Sequence, residues 1–187
     1  MNWDRSETIA LAKESCGACK GEGQAPARRG RTKPCNCVLR AIFRACYARF
    51  RYCVTKEKFL SRVSLVPCHG KDQKMTYARL DEDYICDFCN VSRHALSASD
   101  YNIFRYHFLL GADWRLCCRQ MKVDRGTYFH AVYRLQHKLG RAFRELEPYG
   151  LYPVSEYFAG RLERTNLAIM PLVHKRKPVQ PPLRKSA

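Results

Sequence analysis

Between positions 38 and 54 the apolar residues recur at helical spacing. Val38, Leu39, Ile42, Phe43, Cys46, Tyr47, Phe50 and Val54 share one side, while Arg40, Arg44, Arg49 and Arg51 lie on or beside the other. The pattern predicts an amphipathic helix with a basic side. It is followed by "SRVSLVP", a strand or extended linker, and by a polar, turn-like stretch over 67–78. Helical spacing resumes at 81–96, with Asp81 as the expected N-cap. Further helices are predicted at 99–110, opened by Ser99 and stopped by Gly111, at 113–121 behind Asp113, and at 125–146 behind Asp124. "EPYGLYP" ends the series, with one more helical turn expected at 155–160.

Two stretches lack this periodicity. Residues 16–37, "CGACKGEGQAPARRGRTKPCNC", hold Gly17, Gly21, Gly23, Gly30, Pro26 and Pro34, which speaks against a helix or a long strand. Something other than an apolar core has to order them. "HKRKPVQPPLRKSA" is basic, proline-rich and poor in apolar residues, the composition of a disordered arm. No internal repeat is visible.

Charge narrows the partner class. Lys and Arg outnumber Asp and Glu by 34 to 17 in 187 residues, and a net charge of +17 attracts polyanions. Its placement matters more than its sum. Residues 28–62 carry eleven Lys/Arg against one Glu, 111–146 carry eight against three acids, and the segment from 161 carries seven against one. Residues 81–110 hold five acids and two arginines and opt out. Nucleic acid is the expected partner. No run reaches ~18 apolar residues, and the two acids ahead of the first short apolar patch are unlike a secretory leader. The expectation is a soluble protein of a bacterial or host cytoplasm, with no membrane partner. Neither Gly-x-Ser-x-Gly, a phosphate loop nor His-Glu-x-x-His occurs, so no enzyme and no small-molecule substrate are expected.

Within 113–146, Trp114, Cys117, Cys118, Met121 and Val123 form one apolar face. Tyr128, Ala131, Val132, Leu135, Leu139, Ala142, Phe143 and Leu146 form another. The short break "KVDRG" between them has the length that sets two helices at a steep angle. Away from this core the longer helix presents Arg125, Phe129, His130, Tyr133, Arg134, His137, Lys138, Arg141 and Arg144, a face almost free of acid. A helix of ~10–12 Å diameter fits the DNA major groove, but the same pattern also suits a basic solvated helix in a bundle.

The ungapped stretch Leu96 to Leu146, "LSASDYNIFRYHFLLGADWRLCCRQMKVDRGTYFHAVYRLQHKLGRAFREL", resembles region 4 of bacterial sigma factors. The family's slots hold Leu96, Gly111, Trp114, Cys117-Cys118, Val123 and Gly126-Thr127, followed by Arg134 and Leu139. The likeness covers about a quarter of the chain and includes no counterpart of the polymerase-core-binding regions. It implies a helix-turn-helix whose last helix reads double-stranded DNA, with Arg125, Thr127, His130 and Arg134 as major-groove contacts and Lys138 and Arg141 further along on phosphate. The turn position usually given to glycine is Lys122, where a left-handed backbone costs about 1 kcal/mol, so a slightly different turn is expected. Cys117 and Cys118 occupy packing slots, where a free thiol behaves as a small hydrophobe.

"CGACKGEG" has the form Cys-x-x-Cys-x-Gly-x-Gly, and Cys35-Asn36-Cys37 supplies a second pair. Four thiolates in two close pairs suit tetrahedral zinc, and the glycines permit the tight bends each pair requires. Cys16, Cys19, Cys35 and Cys37 are therefore the candidate Zn2+ ligands. Free thiols in a mobile segment, or a redox Cys-x-x-Cys, are the alternatives. The first half resembles a half-site of the DnaJ-type cysteine-rich zinc motif; the second, Cys-x-Cys without trailing glycines, departs from it. Cys46 and Cys53 read as core, while Cys68, His69, Cys86 and Cys89 form a second metal site only if the fold joins them.

The expected fold class is mainly α: a small zinc-bound loop module over 1–37, a basic amphipathic helix and linker over 38–80, a helical bundle over 81–160 ending in the helix-turn-helix, and a basic disordered tail over 161–187. The expected function is a sequence-specific DNA-binding transcription regulator. DnaJ-type cysteine pairs on a small basic helical body also look like phage late-gene antiterminators. That likeness adds RNA polymerase as a partner, with 81–96 or the cysteine module as its contact. The alternatives are a zinc-dependent protein-interaction or chaperone-like adaptor, and a nonspecific RNA binder using Arg40, Arg44, Arg51 and the tail.

Overall fold

The structure, a computed structural model, is mainly helical and describes residues 3–27, 32–60, 72–147 and 150–159, of which 57–60 and 72–79 as backbone alone. In chain order it comprises α1 (Arg5–Leu11), β1 (Gln24–Pro26), β2 (Thr32–Pro34), α2 (Asn36–Leu60), α3 (Asp72–Ala95), α4 (Ala98–Phe104), α5 (Trp114–Met121) and α6 (Arg125–Glu145). A π-helical turn, Arg105–Leu109, continues α4, and a further helical turn occupies 154–159. The expected linker at 61–67, Cys68, His69 and the basic tail lie outside the described residues.

The long helices α2 and α6 form the centre because their apolar stripes meet. Val38, Ile42, Phe43 and Cys46 of α2, and Tyr128, Leu135, Leu139 and Phe143 of α6, are all buried. Gly140 lets the two backbones touch: a Cβ there would lie 1.9 Å from the Leu39 carbonyl oxygen. An aromatic cluster fills the space between α2, α3, α4 and α6. Phe50 stacks on Phe88 with ring centroids 4.5 Å apart, and Phe43 meets Phe108 edge-on at 5.0 Å. Each such pair contributes about 0.5–1.5 kcal/mol beyond the area it buries. Cys46, Cys53 and Cys117 are fully buried, as their apolar positions require. No described helix is long and apolar enough to cross a membrane.

Asp113 and Asp124 cap α5 and α6 as expected, accepting from the backbone N–H of Arg115 and Thr127. Gly111, with φ +68°, ends the helical run before them. Elsewhere the structure corrects the pattern. α3 begins at Asp72, inside the stretch expected to turn, so Asp81 is not an N-cap. It is buried, accepting from Arg49 at 3.0 Å, Lys56 at 2.6 Å and the Cys53 thiol at 3.3 Å. The acid is a cross-link between α2 and α3, and Arg49 leaves the basic side to meet it. Ser97 rather than Ser99 caps α4, accepting from the Asp100 amide. The seven-residue α1, which the apolar periodicity does not announce, is capped by Asp4, whose side chain accepts from the Ser6 amide, and is held by tertiary contacts: Glu7 receives Arg144 at 2.8 Å and Glu145 receives the Trp3 indole at 3.0 Å.

Lys122 does adopt the left-handed conformation, φ 53° and ψ 44°, so the turn keeps its form and the lysine bears the strain. Its amide bonds back to the Arg119 and Cys118 carbonyls, which holds it there. Lys122→Gly is expected to stabilise the protein by about 0.5–1 kcal/mol, the relieved strain less the extra freedom glycine gains when unfolded. A thermal melt should show Tm rising by about 1–4 °C; an unchanged or lowered Tm contradicts this.

Candidate functional site

Two strands too short to carry a sheet bring the cysteine pairs together. β1 and β2 run antiparallel with Gln24 opposite Pro34 and Pro26 opposite Thr32, and the Cys35 amide donates to the Gly23 carbonyl at 2.8 Å. Gly21 and Gly23 take positive φ, and a Cβ on Gly23 would strike the Thr8 carbonyl at 2.2 Å. The loop thus packs directly on α1. Cys16 Sγ lies 3.8 Å from Cys35 Sγ, Cys19 Sγ lies 3.5 Å from Cys37 Sγ, and all four sulfurs fall within 4.8 Å of one another.

These separations match a metal cage. Sulfurs at tetrahedral corners ~2.3 Å from one ion stand about 3.8 Å apart, whereas a disulfide brings them to about 2.05 Å. None of the described cysteines is in a disulfide. Backbone N–H groups of Cys19 and Ala18 aim at Cys16 and lower its thiol to about 6. Burial instead pushes Cys35 up to about 12 and raises Cys37. A cation among the four sulfurs would offset the burial that opposes the thiolate form of Cys35 and Cys37. Among the described residues this is the one group of three or more candidate ligands. Cys86 is exposed and Cys89 half-buried on α3, and their proposed companions Cys68 and His69 lie outside the described residues.

The second feature is the outer face of α6. Arg125, Thr127, His130, Arg134, Lys138 and Arg141 are all exposed, and Tyr133 stands among them at 43% exposure. They do not share one environment. The Arg125 guanidinium lies over the Trp114 ring at 5.2 Å and over Phe129 at 5.8 Å, and Arg115 approaches the same Trp114 at 5.4 Å. The Thr127 hydroxyl is engaged with the capping carboxylate of Asp124. Arg134 and Lys138 each bond Asp100 at 2.9 Å. Arg144, read as part of the face, instead meets Glu7. His137 is half-buried, and burial together with Arg40 lowers its pKa.

Three participants escaped the sequence pattern. Asp100 sits in the acidic segment and looks like a first-turn acid, yet it is 3% exposed and reaches across to α6. Burial alone would raise its carboxyl, but hydrogen bonds from Arg134 and Lys138 outweigh that and hold it below the usual range. Trp114, assigned to the core, is only half-buried and supports Arg125. Arg40 of α2 joins the face by bonding Gln136 at 3.1 Å and lying 4.4 Å over the Tyr133 ring.

Comparison with known proteins finds no family, no curated protein and no solved structure that matches the chain. Fold and site together define a mainly helical protein with a four-cysteine cluster able to hold a metal and a cationic helix face.

Proposed function

We propose that this protein is a sequence-specific DNA-binding transcription regulator whose cysteine module holds a structural Zn2+. A single observation carries the proposal. On the face of α6 expected to meet duplex DNA, Arg125, Thr127, His130, Tyr133, Arg134, Lys138 and Arg141 are exposed while Phe129 and His137 are half-buried, and the apolar side of the helix is buried against α2. Lys and Arg on such a face attract phosphate, and the first turns of the helix reach base edges. Zinc is the metal proposed because an all-thiolate, four-sulfur set suits its tetrahedral preference. RNA polymerase is the second partner suggested by the antiterminator likeness.

Selection from a pool of random duplexes with the full chain tests the proposal. A preferred sequence should emerge. Arg125→Ala and His130→Ala should each alter it, with losses of about 1–3 kcal/mol for a good base contact. No enriched motif, with RNA bound equally well, would transfer the protein to nonspecific RNA binding. No affinity for either polymer would favour the adaptor alternative.

A further inference from the structure

We infer that Asp100 is a positioning residue of the α6 face, one that fixes Arg134, expected from the sequence at the major groove, together with Lys138 as phosphate contacts and so confines base reading to the first turns of the helix. The inference rests on the DNA-binding proposal above and deepens it.

Asp100 lies in the first turn of α4, with its amide tied to the Ser97 hydroxyl oxygen. Both carboxylate oxygens are occupied: Oδ1 accepts from Arg134 Nη2 and Oδ2 from Lys138 Nζ, each at 2.9 Å. The acid is buried while the two cations are not: the Arg134 side chain is 59% exposed and that of Lys138 44%. Each cation is thus anchored from beneath with an open outer side. A free lysine or arginine carries about 2 kcal/mol of rotamer entropy, much of which is lost whenever it is fixed on a phosphate. Asp100 has already restrained both side chains before any ligand arrives.

Position along the helix decides what they can touch. Arg134 stands nine residues beyond Arg125 and Lys138 thirteen. At ~1.5 Å per residue they lie about 13 Å and about 20 Å from the helix start. The major groove is ~12 Å wide, so a helix entering by its N-terminus leaves these two at the flanking phosphate chain. Asp100 also leaves a net single positive charge where two cations stand. That reduces the pull on any duplex regardless of sequence, which sharpens selectivity because the sequence-independent part of binding is electrostatic.

The full-length protein and Asp100→Asn should be titrated against the selected duplex and a scrambled duplex of equal length, over a range of salt concentrations. In Asp100→Asn the log–log salt slope should steepen by about 0.9, the value for one further phosphate neutralised. Affinity for the scrambled duplex should rise, and the ratio between the two duplexes should shrink. Lys138→Gln retains the Arg134–Asp100 pair and provides a second variant. It should weaken both duplexes by the same factor and leave the preferred sequence unchanged. Unaltered slope and ratio in Asp100→Asn, an equal loss on both duplexes in that variant, or a changed preferred base pair in Lys138→Gln overturns the inference. If the unmodified protein selects a sequence and Asp100→Asn behaves like it, the inference alone fails. If the unmodified protein binds no duplex, the DNA-binding proposal fails and takes the inference with it.

Discussion

Cys35→Ser is expected to abolish metal binding and to unfold the segment between Cys16 and Cys37. Cys35 is 1% exposed, and its amide closes the short ladder through the Gly23 carbonyl. The loop has little else to hold it: outside the cysteines, much of it is Gly, Lys, Glu or Ala at the surface. Structural zinc sites contribute about 10–16 kcal/mol, as much as the whole stability of an ordinary domain, so an ion at the proposed site would supply most of the folding energy of a module of this composition. Elemental analysis should find one metal per unmodified chain and none in the variant, and limited proteolysis should cut the variant within 16–37. The bundle should weaken too, because α1, which carries Glu7 to Arg144, rests on this loop at Gly23. A folded, metal-free protein would remove the metal from the account.

Gly140→Ala is expected to be the most damaging single methyl in the described bundle. The added Cβ would lie 1.9 Å from the Leu39 oxygen, 2.7 Å from its carbonyl carbon and 3.2 Å from its Cα. All three are backbone atoms, so no side chain can swing aside. Relief requires α2 and α6 to separate, and that opens the contact of Phe43 with Phe143. Overpacking commonly costs about 1–3 kcal/mol, and a backbone obstruction places this variant at about 3 kcal/mol or more. The better helix propensity of alanine recovers about 1 kcal/mol at most. The net loss of about 2 kcal/mol or more should lower Tm by at least about 4–8 °C in thermal denaturation. A loss under 2 °C would mean that the helices have more room than the Leu39 contact allows.

What the chain announces about itself is local. α5 and α6 were legible because a capping aspartate stands immediately before each apolar run, at Asp113 and Asp124. The stripe of α2 was legible because every third or fourth residue is apolar. The cysteine quartet was legible for a similar reason: Gly17, Gly21 and Gly23, which let the first pair bend, lie between or beside its ligands, and the second pair stands as a compact Cys-x-Cys. Asp81 misled because an acid ahead of an apolar run looks like a cap, and only Arg49 and Lys56, 32 and 25 residues away, make it a buried anchor. Asp100 hides in the same way, 34 residues before Arg134. α1 has too few turns to be stable by propensity, so its existence depends on Glu7 and Trp3 finding partners 137 and 142 residues further on. Lys122 shows the opposite error. Intrinsic cost argued against a left-handed residue there, and the bonds of its amide to the preceding helix overrode that cost.

The clasp of Glu7 on Arg144 sets an order of events for a nascent chain. At a synthesis rate of roughly 5–20 residues per second, α1 emerges well before its docking site on α6. The segment from Cys16 to Cys37 spans 22 residues, and its four cysteines are all synthesised in that interval. α2, by contrast, holds its apolar stripe without its main partner until α6 is made. Such remote pairings slow folding and expose sticky surface meanwhile. A metal held by the four cysteines would therefore act on the N-terminal segment first, before the α2–α6 pairing that completes the bundle can form.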